Sequence, residues 1–214
     1  MLKIIIYIGH LLLGINFILF AIKLNKKMPK SHYIFTFYLF VMIIIQFFTS
    51  YLSSIGQNNL YLSHYYFIFQ FILLSFFYLE IINNSFQRKI IKIAIPFCLF
   101  VLGIQYFLNN DLYEKFNLLE IFITSFFIII FSMFHFYNIL NEKKRYYYLN
   151  TGILLYLFGS TVLFLSGNLI SRLDLALSKI VWILNLLLYI VYQIFILLEW
   201  REIFYKKTNK IYDK

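Results

Sequence analysis

The chain has 214 residues, of which 62% are hydrophobic and only 13% charged, with a net charge of +10. So little charge cannot cover the surface of a soluble domain of this length, and the mean hydropathy of +0.79 points the same way. One cysteine, Cys98, excludes a disulfide or a cysteine-based metal site within one chain.

Seven apolar segments follow one another, at about 4–22, 33–55, 61–82, 90–108, 118–140, 147–170 and 179–200. Each is long enough for a hydrocarbon core of about 30 Å. The runs are continuous rather than alternating, which excludes a β-barrel. The expected fold is an all-α integral membrane protein: a single seven-transmembrane-helix bundle spanning residues 1–214, with short loops and no soluble domain.

The first segment is longer than a signal-peptide apolar region. It runs into LNKKMPKSH rather than a small-residue cleavage site, so it reads as a membrane helix. His10 and Asn16 lie well inside it and suit helix–helix hydrogen bonds. The second carries Gln46, Thr49, Ser50, Ser53 and Ser54 on one helical face. The third opens with SHYYFIFQ: His64 at its mouth, with Tyr66 and Gln70 sharing a face one turn apart. Near its other end, Glu80 can reach water or pair with Arg88 or Lys89. The fourth is bland, with Pro96, Cys98, Gly103 and Gln105. A kink is expected at Pro96, and the helix reads as peripheral.

The fifth carries Glu120 near its start, Thr124 a turn deeper, and Ser132 and His135 further on. Glu120 and His135 are too far apart along one helix to act together. The sixth, YYLNTGILLYLFGSTVLFLSGNLI, has small residues Gly152, Gly159 and Ser166 along one line. That line would let neighbouring helices approach closely. Tyr156, Ser160 and Asn168 lie beside it. The seventh aligns Trp182, Asn185, Tyr189, Tyr192, Gln193 and Ile196 on one stripe.

Lys and Arg set the orientation. Fifteen fall in alternate connections and the tail (Lys23, Lys26, Lys27 and Lys30; Arg88, Lys89 and Lys92; Lys143, Lys144 and Arg145; Arg201, Lys206, Lys207, Lys210 and Lys214). Only four fall on the other side: Lys3, Lys115, Arg172 and Lys179. The amino terminus is therefore expected outside and the carboxyl terminus in the cytoplasm. The basic excess is a topology signal that also suits anionic lipid; it does not indicate nucleic acid.

Polar groups at membrane depth are costly, so their placement carries the functional reading. Gln46, Ser50, His64, Gln70, Glu120, Ser166, Asn168 and Asn185 all belong to the outer half. If their faces converge, with Tyr66, Tyr156, Ser160 and Trp182 nearby, they form an outward-facing polar pocket for a small ligand. No metal-spaced histidines, phosphate loop or nucleophile elbow occurs. No catalytic residue, metal or cofactor is therefore assigned. The seventh helix holds no internal lysine for a retinal Schiff base.

Asn150, Gly152, Tyr156, Gly159, Ser160, Phe164, Ser166 and Asn168, with His64, Tyr66, Glu120 and Trp182, carry a resemblance. The chain is similar to a group of uncharacterised small bacterial seven-helix membrane proteins. That group is expected to have Glu where this chain has Gln70, which leaves no acid–base role at that position. The resemblance implies a multi-pass protein of the bacterial cytoplasmic (inner) membrane. It also implies proximity to membrane histidine kinases, hence a sensory or accessory role. The expected function is a membrane receptor or accessory signalling subunit that passes its state to such a partner through cytoplasmic loops. A small-solute or ion transporter is the first alternative. An intramembrane lipid-modifying enzyme using Glu120, His64 or His135 is the second.

Overall fold

A long apolar run with few breakers favours helix, because a helix satisfies every interior backbone group within itself. The computed structural model of the chain follows that rule. It contains α1 (Leu2–Ile22), α2 (Lys30–Ser54), α3 (Tyr61–Ile81), α4 (Ser85–Leu108), α5 (Leu118–Ile139), α6 (Tyr147–Ile170) and α7 (Leu175–Tyr212), with a 3₁₀ turn at Asn110–Glu114. The structure describes residues 2–140, 145–170 and 175–212, and of these the side chains at 2, 167–170, 175–178 and 206–212 fall outside the description. Among the described residues, seven helices are long and apolar enough to cross a membrane and no strand occurs. Asn168, Lys143, Lys144, Arg172 and the basic side chains from Lys206 onward lie outside the described side chains.

The helices differ from the apolar runs chiefly where polar sequence stays helical. α4 begins at Ser85 rather than at 90, because Asn84 caps it: its side-chain oxygen accepts from the Phe86 and Gln87 amides at 3.0 and 3.2 Å. α7 continues past 200 to Tyr212, since hydropathy marks where apolar sequence ends and not where helix does. α2 follows Pro29 and closes in a Schellman turn. There Gly56 adopts φ +71°, and the Gln57 and Gly56 amides return to the Leu52 and Ser53 carbonyls.

The chain divides into two compact units, Lys26–His135 and Met1–Asn25 with Phe136–Lys214. In the first, α3 is the central helix: 56% of its apolar window is buried, against 22% for α4. α3 runs antiparallel to α2 and α4 and parallel to α5, as their facing residues show. Aromatic rings fill the space between them, with Phe35 against Tyr38 and Phe77, and Tyr78 against Phe131 and His135. Gln70 donates across to the Tyr38 hydroxyl at 3.3 Å and along its own helix to Tyr66 at 3.4 Å. Arg88 does not turn to Glu80, which is exposed. Its guanidinium instead donates to the Leu79 and Ile82 carbonyls, satisfying the end of α3.

In the second unit, α7 packs between α1, which runs parallel to it, and α6, which runs antiparallel. Small residues allow the close approach. A methyl on Gly152 would lie 2.6 Å from Phe195 Cβ, and one on Gly159 2.7 Å from Leu188 Cδ1. The α1–α7 seam carries buried polar bonds. Asn16 donates to both the side-chain and backbone oxygens of Gln193 at 2.9 Å, and the Trp200 indole donates to the Leu19 carbonyl at 2.9 Å. Glu199 of α7, 2% exposed, accepts from the Tyr148 and Leu149 amides at 2.9 and 3.2 Å and so caps α6 from a neighbouring helix. In both units the outward faces are apolar: Leu11, Phe47, Phe100, Phe107 and Phe158 are all more than half exposed. A helix facing water would place polar side chains there.

Candidate functional site

The polar groups that converge do so at one end of the Lys26–His135 unit. The first turns of α3 bring His64 and Tyr65. The last turn of α4 brings Gln105 and Tyr106, the 3₁₀ turn brings Tyr113, and the start of α5 brings Asn117 and Glu120. This end lies opposite the start of α4, where Arg88, Lys89 and Lys92 sit.

Asn117 precedes α5, and its side-chain oxygen accepts from the Glu120 amide at 3.3 Å. Asn117 and Glu120 have the spacing of a capping box, in which the glutamate returns to its own helix start. Here the Glu120 carboxylate leaves for other helices. Its Oε2 lies 2.6 Å from His64 Nδ1 and accepts from the Tyr106 hydroxyl at 2.5 Å. Asn117 donates to the Tyr106 oxygen at 3.2 Å and exchanges two hydrogen bonds with Gln105, at 3.0 and 3.2 Å. The other histidine nitrogen, Nε2, lies 3.1 Å from the Tyr113 carbonyl oxygen. Glu120 is fully buried and His64 is 3% exposed. The network thus ties α3, α4 and α5 together at one level.

Proton counting defines what this arrangement does. A carbonyl only accepts, so Nε2 carries a proton. The short contact at Nδ1 needs one more, held by either the ring or the carboxyl. The pair is neutral as a whole, and both ring nitrogens are engaged. A histidine acting as general base needs a nitrogen free to take a proton from a substrate or nucleophile. His64 has none in this geometry.

Beside the network lies a cavity of about 470 Å³, lined by His64, Tyr65, Ile68, Tyr106, Asn110 and Tyr113. Its volume falls in the range of small-molecule sites. Among the described residues, no serine, threonine or cysteine lines it. At its edge the Tyr65 and Tyr113 hydroxyls share a hydrogen bond of 2.6 Å. That bond, then burial, holds the exposed Tyr113 phenol protonated well into the alkaline range, pushed up to about 12.

Of the residues expected to line an outer pocket, His64 and Glu120 meet directly, and only His64 borders the cavity. Tyr66 and Gln70 form their own cluster with Tyr38. Gln46 and Ser50 are half-buried on α2. Tyr156, Ser160, Trp182 and Asn185 belong to the other compact unit. Tyr156 stacks on Tyr192 at 5.2 Å, Ser160 returns its hydroxyl to the Leu157 carbonyl, and Trp182, 49% exposed, meets Phe164 edge-on. Asn185 is half-buried. That unit has a hollow of about 440 Å³ between α6 and α7, walled by apolar side chains including Phe158, Leu184, Leu188 and Val191, with Gly159.

Tyr65, Tyr106, Tyr113 and Asn117 were not among the residues singled out from sequence. The Asn117–Glu120 spacing was a signal for a helix start. Nothing in the sequence sends that carboxylate to His64, and the bland α4 supplies the linking tyrosine. No family model, curated protein or solved structure matches the chain.

Proposed function

We propose that the chain is a multi-pass protein of the bacterial cytoplasmic membrane, with its amino terminus outside, that serves as a receptor or accessory signalling subunit. Its outward pocket is the cavity beside His64. A small ligand there would pass its effect to a partner, such as a membrane histidine kinase, through the basic cytoplasmic connections. The apolar outward faces support insertion, and the strict alternation of basic connections supports the orientation.

The observation that carries the proposal is the coupling of cavity and network. His64 and Tyr106 both line the cavity and both bond Glu120. A ligand touching them acts on α3, α4 and α5 together, and the far ends of these helices lead to the basic connections. A ligand shifts an equilibrium only through different affinity for two states. Contacts that bridge three helices supply such a difference whenever the helices move against one another. The catalytic alternative is disfavoured because both His64 nitrogens are engaged and, among the described residues, no serine, threonine or cysteine lines the cavity.

The following measurements test this. Ile68→Trp should fill the cavity and abolish solute-induced thermal protection of the chain in nanodiscs. The chain should also co-purify with its kinase partner, and its deletion should change kinase output. A chain that runs alone, with kinase output unchanged on deletion, would sink the signalling role. Cysteines placed at Asn58 and Lys27 should be labelled from outside and inside respectively; the reverse would overturn the orientation.

A further inference from the structure

We infer that the cavity beside His64 takes a small organic cation whose head is a quaternary or alkylated ammonium. This rests on reading the cavity as a ligand site and adds the chemistry of the ligand. Four of the six lining residues are ring systems. His64 and Tyr113 are nearly parallel, 28° apart with centroids at 5.7 Å. Tyr65 meets Tyr113 at 88° and 6.4 Å, and Tyr106 meets His64 at 74° and 5.4 Å. A fourth tyrosine, Tyr61, stacks on Tyr113 at 6.2 Å and backs that wall. Tyrosine rings set at right angles around one small space are the arrangement that holds alkylated ammonium groups through the negative faces of the rings.

The polar groups around the cavity point to the same charge. An anion needs donors, and those present are spent. Both His64 nitrogens face acceptors, the Tyr106 hydroxyl donates to Glu120, and Tyr65 and Tyr113 bond each other. The Asn110 amide and one phenolic proton are what remain. Among the described residues, no lysine or arginine lines the space. Behind it, the second carboxyl oxygen of Glu120 is buried with no hydrogen-bond partner. That oxygen is an acceptor without a donor in the layer that supports the rings. On the 3₁₀ turn Asp111 and Glu114 are exposed, and Lys115 lies 3.8 Å from Asp111. An alkylated ammonium needs no hydrogen-bond partner, so its desolvation in such a cavity is cheaper than that of a primary amine.

The same head could come from a free solute or from a choline lipid headgroup, and the test separates them. The full chain is placed in phosphatidylglycerol nanodiscs, which carry no ammonium headgroup, and titrated calorimetrically with tetramethylammonium and with choline. Both should bind, and the neutral carbon isostere of choline should bind at least about tenfold more weakly. Tyr113→Leu should weaken choline roughly five- to thirtyfold while Tyr113→Phe stays within about twofold, since the face and not the hydroxyl carries the contact. Tyr65→Leu, also at an exposed position, reads the same effect should the first variant fold poorly. Apparent choline affinity that collapses in phosphatidylcholine nanodiscs identifies the headgroup as occupant. Affinity that is unchanged identifies a free solute. The inference is overturned if neither cation binds, if the isostere binds equally well, or if both leucine variants leave affinity unchanged. Should neutral or anionic solutes then protect the chain in a way that Ile68→Trp abolishes, the cation falls and the ligand-site reading stands. Should no solute do so, both fall.

Discussion

Glu120→Ala should destabilise the chain far more than Glu120→Gln. The carboxyl is fully buried and bonds two partners, His64 at 2.6 Å and Tyr106 at 2.5 Å. Alanine leaves a 3%-exposed histidine and a phenol without their acceptor. Removing one member of a buried, hydrogen-bonded pair costs about 3–5 kcal/mol. Glutamine keeps the shape. Its amide can give a proton to Nδ1 of a neutral His64, whose Nε2 still donates to the Tyr113 carbonyl, so the loss should stay near the 0.5–1.5 kcal/mol of one ordinary hydrogen bond, roughly. His64→Leu alone should cost about as much as Glu120→Ala, because it strands the carboxyl. The double variant His64→Leu with Glu120→Leu removes both ends, and should cost several kcal/mol less than the two singles added, by the same desolvation logic. The assay is reversible unfolding in nanodiscs of all four chains. Equal losses for alanine and glutamine, or strictly additive singles, would refute the reasoning: the pair would then be no more than two side chains that happen to be near.

Three further outcomes follow from other parts of the molecule. Gly152→Ala should cost about 1–3 kcal/mol, since its methyl meets Phe195 Cβ, which is fixed to the backbone, at 2.6 Å. Gly159→Ala, facing the mobile end of Leu188, should cost clearly less, and Gly103→Ala, with nothing within 4 Å, should be neutral or stabilising in the same unfolding assay. Glu199→Ala should expose the Tyr148 and Leu149 amides as buried unsatisfied donors, at about 1–3 kcal/mol, with their hydrogen exchange accelerated; unchanged protection would count against the cap. The Tyr113 phenol is held protonated up to about 12, above its ordinary 10.0, so an unfolded chain would lose this proton first as pH rises. The contribution of Tyr113 is therefore full below 10.0 and lost on passing about 12. Ring-labelled tyrosine spectra of Tyr65→Phe should show this phenol titrating earlier, and no change would sink the hydrogen-bond cause.

The helices were legible because each is specified locally. An apolar run of the right length, bounded by loops, has no better way to close its backbone bonds, and the runs 61–82, 118–140 and 147–170 coincide with α3, α5 and α6 to within a residue. Where polar residues continue a helix, as at the start of α4 and the end of α7, hydropathy stops short of the true end. The candidate site was half legible. His64 and Glu120 stood out as costly groups in apolar segments. Their partners did not, because a tyrosine near a helix end looks like any interfacial aromatic.

Sequence by itself determined the number of apolar helices, their order, and which alternate connections carry the basic residues, since length, hydropathy and charge are properties of a segment alone. Only the tertiary structure decided that His64, Tyr106, Glu120 and Tyr113, spread over residues 64 to 120, meet at one end of one unit, with a cavity beside them. It also decided that Glu120 abandons its own helix start for a histidine on α3, and that Tyr156, Ser160 and Asn185 belong to a different packing unit. These depend on which helix faces meet, and packing between distant segments decides that.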